Sequence, residues 1–262
     1  MGKKSCKEIF EQVEQGIERI YGETANIKNL IQSQTIHHQT FEQYKNCFRE
    51  KEVVLVGAGP TAKYHKRIEN AVYVGVNNAC LLSQIQIDYL FCQDFYMDRD
   101  KQNSILEYRD KECIKFFGII PDNRMKACKI TESAKHVRRC PKVYVVQCGA
   151  QTYYIYDLFK NGTAMDIERE PLKADGIIFC ALQFILHGHP KKIYIVGCDC
   201  TSGFFYDSEQ IFDNTYMVEM WKEFGRYIEE FYPDIEVISM NPVGLRGMFT
   251  DYYDNITNGY IL

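Results

Sequence analysis

The sequence predicts an α/β protein built on a doubly wound, mostly parallel, Rossmann-like sheet with helices on both faces. Short β-branched runs alternate with helical patterns from residue 51 onward, and the first run ends in a glycine-rich turn. Polar residues recur just past the strand ends, where ligands bind in such sheets. A chain of 262 residues with 46% hydrophobic and 25% charged residues supports one ordered core plus an appendage rather than two equal halves. The expected division is a helical extension over 1–50 and a Rossmann-like domain over 51–262, with a lid segment around 201–232.

In the extension, Ile9, Phe10, Val13, Ile17 and Ile20 fall on one helical face. A break is expected near Tyr21, Gly22, Glu23 and Thr24, before a second amphipathic stretch through Ile27, Leu30 and Ile31. Leaving such a face in water costs about 25 cal/mol per Å², so the extension is expected to pack on the core or on a second copy. Strands are expected at 53–56, 72–76, 89–92, 115–119, 143–146, 192–197 and 235–240. One helix is expected to begin near Gly176 and stop at Gly188, His189 and Pro190, and an amphipathic one to span about 217–232.

The net charge of −4, with scattered basic residues, excludes nucleic acid as a favoured partner. Eleven cysteines form no disulfide framework, because the count is odd and Cys92, Cys148, Cys180 and Cys198 sit inside apolar runs as small buried hydrophobes. Cys198 and Cys200 have the wrong spacing for a zinc knuckle or a redox pair, so no metal site is expected. No signal peptide is expected from the charged opening Met1-Gly2-Lys3-Lys4, and no run of about 18 apolar residues occurs in the sequence. The expectation is a cytoplasmic protein, with peripheral membrane association and homo-oligomerisation left open.

The strand exits supply the candidate residues. Gly57, Gly59, Pro60 and Thr61 follow the first strand and precede a helix, so their backbone N–H groups and the helix dipole are expected to face a phosphate. The third glycine of the dinucleotide fingerprint and the Gly-Lys-Thr of a P-loop are both missing. Asn77 and Asn78, Gln93 and Asp94, Asp199 with the loop to Asp207, and Asn241 with Pro242 stand at the other exits. His65 is one turn past Thr61, where it reads as an exposed helix residue or a phosphate partner. His187 and His189 lie at the end of the sheet away from chemistry.

Taken in order, VVLVGAGPTAKY (53–64), YVGVNNA (73–79), YLFCQDF (89–95), ADGIIFCAL (174–182), KKIYIVGCDCTSG (191–203) and MNPVGL (240–245) resemble the bacterial sialyltransferases of glycosyltransferase family 42. They also resemble the related flagellin-modifying motility-associated factors, which carry domain of unknown function 115. The resemblance covers roughly 51–247. It implies transfer of an acidic nine-carbon sugar, without a metal or other cofactor, from a CMP-activated donor such as CMP-sialic acid to a surface-glycan acceptor. By the same resemblance Gly57, Gly59, Pro60 and Thr61 hold the donor phosphate and Asn77 contacts the nucleotide. Gln93 or Asp94 adds a polar contact, Asp175 and Gly176 start a helix near the donor sugar, and Asn241 and Pro242 close over the cytidine.

Those enzymes carry a histidine base in the lid, and this chain has no histidine from Thr201 to Leu262. Losing a general base typically costs two to four orders of magnitude in rate. Asp207 is therefore the candidate base among the lid acids Asp207, Asp213 and Glu219, with Tyr206 and Tyr216 assisting the leaving phosphate. One alternative is a magnesium-dependent pyrophosphokinase acting on a hydroxymethylpterin-like compound, with Asp94 and Asp199 as ligands. Another is a catalytically degenerate nucleotide-binding protein.

Overall fold

A computed structural model describes residues 12–21, 24, 38, 41–92, 105, 107–109, 112–119, 147–148, 151–157, 167–168, 172–173, 176–207, 209 and 215–254. Its strands are β1 (Glu52–Val56), β2 (Val72–Val76), β3 (Tyr89–Cys92), β4 (Ile114–Ile119), β5 (Gln147–Cys148), β6 (Gln151–Asp157), β7 (Leu172–Lys173), β8 (Lys192–Val196), β9 (Glu236–Met240) and β10 (Thr250–Tyr252). They run in the order β10-β9-β8-β1-β2-β3-β4-β6-β5, with β7 beside β6. From β10 to β6 every neighbouring pair is parallel, and β5 returns antiparallel to β6. This is a doubly wound α/β sheet. The expected strand at 143–146 lies outside the described residues.

The alternation of buried side chains explains why β1 is central. Val53 and Leu55 face one hydrophobic cluster and Val54 and Val56 the other, so both sides of the strand are covered. Leu55 pairs with Val74 of β2 and with Ile195 of β8, which sets the register of the middle of the sheet. Chain order runs outward from β1 through β2 and β3 to β4, then resumes on its other side with β8 and β9. The reversal between β1 and β8 is the switch point at which such sheets open a crevice.

Two α-helices cover the first face, α1 (Ile177–Gly188) and α2 (Met217–Phe231). Nearly every residue of α1 is buried, whereas α2 buries Trp221, Phe224 and Ile228 at helical spacing and turns its acids outward. Phe41, Tyr44 and Phe48 join the same face, with Phe48 donating its amide to the Gly188 carbonyl. The second face is covered differently, by short 3₁₀ helices η2 (Pro60–Tyr64) and η3 (Asn77–Leu81) and by Ile85, Ile87 and Ile105. The turn after β1 therefore opens a five-residue 3₁₀ helix instead of the α-helix expected there.

Residues 12–21 are helical, as expected. Thr24 is also helical, and its hydroxyl lies 2.8 Å from the Ile20 carbonyl; Gly22 and Glu23, where a break is expected, lie outside the described residues. At the amino edge of the sheet Glu168 is buried among Lys45 (3.2 Å), His38 (3.2 Å) and His187 (3.7 Å). Burial alone would raise the Glu168 carboxyl, but the Lys45 hydrogen bond and the charges of Lys45, His187 and His38 together hold it below its usual range. No helix among the described residues is long and apolar enough to cross a membrane.

Candidate functional site

At the carboxyl edge the exits of β1, β2, β8 and β9 carry most of the candidate residues, and the first finding concerns the glycine turn. The Gly57 amide donates to the Val196 carbonyl (2.8 Å) and the Gly59 amide to the Gly197 carbonyl (2.8 Å). The Thr61 amide donates to Asp199 Oδ2 (2.8 Å), and the Thr61 hydroxyl to Asp199 Oδ1. Pro60 has no N–H to offer. The amides expected to face a phosphate are thus engaged by the chain itself.

The two glycines have a matching steric reason. A Cβ at Gly59 would lie 2.5 Å from Asp199 Oδ2 and 2.7 Å from the Gly197 carbonyl oxygen, and one at Gly57 would run into that same carbonyl. Close approach of the β1 and β8 exits is what demands glycine here. Nor does a helix dipole compensate, because a five-residue 3₁₀ helix aligns too few peptide units.

Asp199 is the fastener of this edge. Its carboxylate holds Thr61 and its carbonyl accepts the Gly244 amide (2.9 Å), so one residue links the β1, β8 and β9 exits. Burial raises its carboxyl above the usual value, and the Thr61 hydrogen bonds only partly offset this. Both oxygens accept from Thr61, so a magnesium ion, as the pyrophosphokinase alternative requires, would have to share the carboxylate with Thr61. Asp94, the other ligand in that alternative, lies outside the described residues, as do Gln93 and Asp175.

The segment after Asp199 folds back over β1 and β2. The Phe205 amide donates to the Ala58 carbonyl (3.0 Å), and the Tyr206 hydroxyl hydrogen-bonds the Asn78 side chain. The expected lid therefore begins as a strap across the switch point. Within it Asp207 Oδ1 accepts the Glu209 amide (3.1 Å), which commits one oxygen of the candidate base to shaping its own turn.

Asn77 stands where β2 ends, at φ 46°, and opens η3. Asn241, also left-handed at φ 51°, is buried and holds Asp254. Asp254 donates its amide to Asn241 Oδ1 (3.0 Å) and accepts from Nδ2 (3.3 Å). The Asn241–Pro242 turn is thereby fastened to the segment that follows β10.

The sizeable helix dipole at this edge belongs to α1. Because α1 ends four residues before β8 begins, it runs against the strands and starts at their carboxyl ends. Gly176 precedes it at φ 135°, a conformation that requires glycine, and among the described residues no side chain caps it or places an acid in its first turn. Phe179 donates to the Gly176 carbonyl (3.1 Å), while Ile177 and Ile178 have no acceptor within the helix. The start of α2 lies beside it, since a Cβ on Gly176 would be 3.2 Å from Met217 Cε. Tyr216, just before Met217, is half exposed there.

His65 is buried, not exposed. Tyr73 Oη accepts the Ile68 amide (2.7 Å) and is hydrogen-bonded to His65 Nε2 (3.1 Å). Burial lowers the pKa of this imidazole, and the Asp254 charge only partly restores it. His187 and His189 sit at the amino edge, bonded to the Phe41 carbonyl and to Asp234.

Sequence reasoning missed Asn78 as the partner of Tyr206, Asp254 as the partner of Asn241, and Gly197 and Gly244 as the other halves of the close approaches. One signal was present for the glycines. Val-Gly-Ala-Gly after β1 and Val-Gly-Cys-Asp after β8 end adjacent strands of the same register.

Fold and site together define a doubly wound α/β protein with its candidate ligand edge at the β1–β8 switch point. No protein-family model and no curated protein matches the chain. Among solved structures it is similar to the MAf glycosyltransferase from Magnetospirillum magneticum AMB-1, with 13% sequence identity and a TM-score of 0.43. The match covers 87% of this chain and 38% of that one, so the chain spans well under half of that protein's length.

Proposed function

We propose that this chain is a glycosyltransferase that uses a nucleotide-activated sugar and a glycan acceptor, with the donor's phosphate at the start of α1 rather than at the β1 turn. The class rests on the ordered sequence blocks at the strand exits. The observation that carries the site is the first turn of α1, which has no side-chain cap among the described residues and opens at the same edge as the β1, β2, β8 and β9 exits. The N–H groups of Ile177 and Ile178, which have no acceptor within the helix, and the positive end of a twelve-residue helix favour an anion.

In the reaction proposed, an acceptor hydroxyl attacks the anomeric carbon, the bond from that carbon to the donor phosphate breaks, and the negative charge stays on the departing nucleotide. The α1 dipole is suited to stabilise that charge without a metal or other cofactor, and Tyr206 and Tyr216 are the hydroxyls offered to the phosphate. Asp207 is proposed to take the acceptor proton through the carboxylate oxygen that does not hold Glu209. Asn77 and Asn241 are proposed on the base side. A cytidine donor with an acidic nine-carbon sugar is the finer reading, supported by the resemblance alone.

Ligand-dependent thermal unfolding tests the proposal. A nucleotide at a hundred times its dissociation constant stabilises the fold by about 2.7 kcal/mol. CMP or CDP is expected to raise the midpoint, and uridine, guanosine and adenosine nucleotides serve as comparison. If no nucleotide of any base shifts unfolding, the proposal fails. The commitment of Asp207 to its own turn favours a second reading, a nucleotide-binding protein without turnover. A sugar nucleotide that binds yet is never cleaved, with or without acceptor, selects that reading.

A further inference from the structure

The helical stretch 12–21 carries an apolar stripe that the other described residues leave open. Val13, Ile17, Ile20 and Tyr21 are between 48% and 75% exposed, while Phe41 and Phe48 of the same extension are buried in the core. A Cβ placed on Gly16, beside the stripe, would meet nothing within 4 Å. The stripe is narrow. Gln12, Glu14, Gln15, Glu18 and Arg19 fill the remaining positions, so the apolar residues form a seam and not the broad face by which a helix joins a globular core.

The spacing identifies what fits that seam. Val13, Ile17, Ile20 and Thr24 are separated by four, three and four residues, and in the sequence the same steps place Cys6 and Phe10 before them and Ile27 and Ile31 after. This is the a/d repeat of a coiled coil over four heptads, broken in polarity only by Thr24. Phe10, Ile17, Thr24 and Ile31 take the a positions, and Cys6, Val13, Ile20 and Ile27 the d positions. A seam repeating every 3.5 residues is matched by another helix with the same repeat, which a further copy of this chain supplies. In a parallel pairing of copies, the one g-to-e contact with a charge at both positions joins Glu23 to Lys28, of opposite sign. Beta-branched residues at d as well as at a disfavour two strands and favour three. The polar side of the described helix carries two acids and one base, which suits solvent better than an anionic lipid surface.

We propose that the Val13–Ile17–Ile20 seam holds three copies of this chain together as a parallel coiled coil. An isolated helix shorter than about 12–15 residues is marginal in water, and packing between copies provides the missing stabilisation.

Sedimentation velocity and light scattering on the full chain test this. The expected mass is three times the 30.7 kDa of one chain. Ile17→Glu combined with Ile20→Glu is expected to give monomers at the same concentration, and the milder Ile17→Asn to weaken the assembly measurably on dilution. Glu18→Gln, on the outer side, is expected to leave the mass unchanged. Emission of Trp221, buried in the core, reports that each variant keeps its fold. A monomeric wild-type chain overturns the proposal, as does an assembly that survives both seam variants. So does a monomer that instead cosediments with phosphatidylcholine vesicles in a seam-dependent way.

Discussion

Gly59→Ala separates the two uses of the glycine turn. The backbone of Gly59 sits at φ −65° and ψ 162°, a conformation alanine adopts freely, so the substitution introduces no dihedral strain. What it introduces is a methyl group 2.5 Å from Asp199 Oδ2 and 2.7 Å from the Gly197 carbonyl oxygen, and the latter is backbone held by β8. Overpacking of this kind costs about 1–3 kcal/mol. Stiffening of the unfolded chain by alanine returns about 0.4–1 kcal/mol. The net loss is about 1–2 kcal/mol, which in a chain of this size lowers the melting midpoint by about 2–8 °C. Urea unfolding followed by Trp221 emission, with a parallel thermal scan, measures it. In an Asp199→Ala background the penalty should shrink but persist, because the Gly197 carbonyl remains. If Gly59→Ala instead leaves the midpoint at the wild-type value while abolishing nucleotide binding, the glycine serves a ligand and the packing account is wrong.

Asp199→Asn keeps an acceptor for the Thr61 amide and removes a charge that burial disfavours, so the variant is expected within about 1 kcal/mol of wild type at neutral pH. The raised folded-state carboxyl means its contribution is fully present below the unfolded value near 3.8 and declines as pH rises through the folded value, so the variant should flatten that part of the stability profile. Glu168→Gln should behave oppositely. Its lowered carboxyl contributes above the unfolded value and loses that contribution as pH falls, and with Lys45 and His38 half exposed the loss is about 1 kcal/mol, read from denaturant midpoints at pH 7 and pH 4. His65→Phe should be within about 1 kcal/mol of wild type at neutral pH, since it removes a buried ring nitrogen, Nδ1, without a partner among the described residues. It should also reduce the fall in stability below pH 6.5, because the folded imidazole resists the proton that the unfolded one takes up. Cys113 and Cys200, both pushed up to about 12 by burial, should resist iodoacetamide at pH 8 in the native protein and react on unfolding, as mass spectrometry of the labelled chain would show.

Why some of this was legible in the sequence and some not follows from what each residue type records. Central strands declare themselves, because burial on both faces demands continuous runs such as Val53 to Val56 and Ile193 to Val196. Amphipathic α2 is equally plain. An edge strand such as Thr250–Tyr252 buries little and so leaves no apolar run, and β6, Gln-Thr-Tyr-Tyr-Ile-Tyr-Asp, forms from tyrosines that serve many settings. The α-helix expected after Gly59 became a 3₁₀ turn because Pro60 opens either kind, and the choice was made by distant groups. Asp199 clamps Thr61, and Gln84 Nε2 reaches the Ala62 and Lys63 carbonyls (3.4 and 3.3 Å). Burial of His65 likewise depends on Tyr73, which no local pattern announces.

Glycines at a strand exit are ambiguous in sequence because the missing Cβ admits either a ligand or another stretch of chain, and only the partners of the neighbouring amides distinguish the two. Here Gly57, Gly59 and Thr61 all donate to the β8 side, and the Asp199 carboxylate occupies the position beside the Thr61 amide that a phosphate oxygen would otherwise take. A second anion beside a buried carboxylate is repelled, so a phosphate at Thr61 would first have to displace Asp199 or meet it protonated. The first turn of α1 holds no acid among the described residues, and Asp175 before it lies outside them. The carboxyl edge thus divides its tasks: the β1–β8 junction is fastened by the chain, and the dipole suited to an anion lies on the neighbouring helix. Nucleotide affinity should accordingly survive Thr61→Val, which keeps the amide and loses only the hydroxyl bond to Asp199, while stability falls by about 1 kcal/mol. A variant that keeps its midpoint and loses the nucleotide would return the phosphate to the β1 turn.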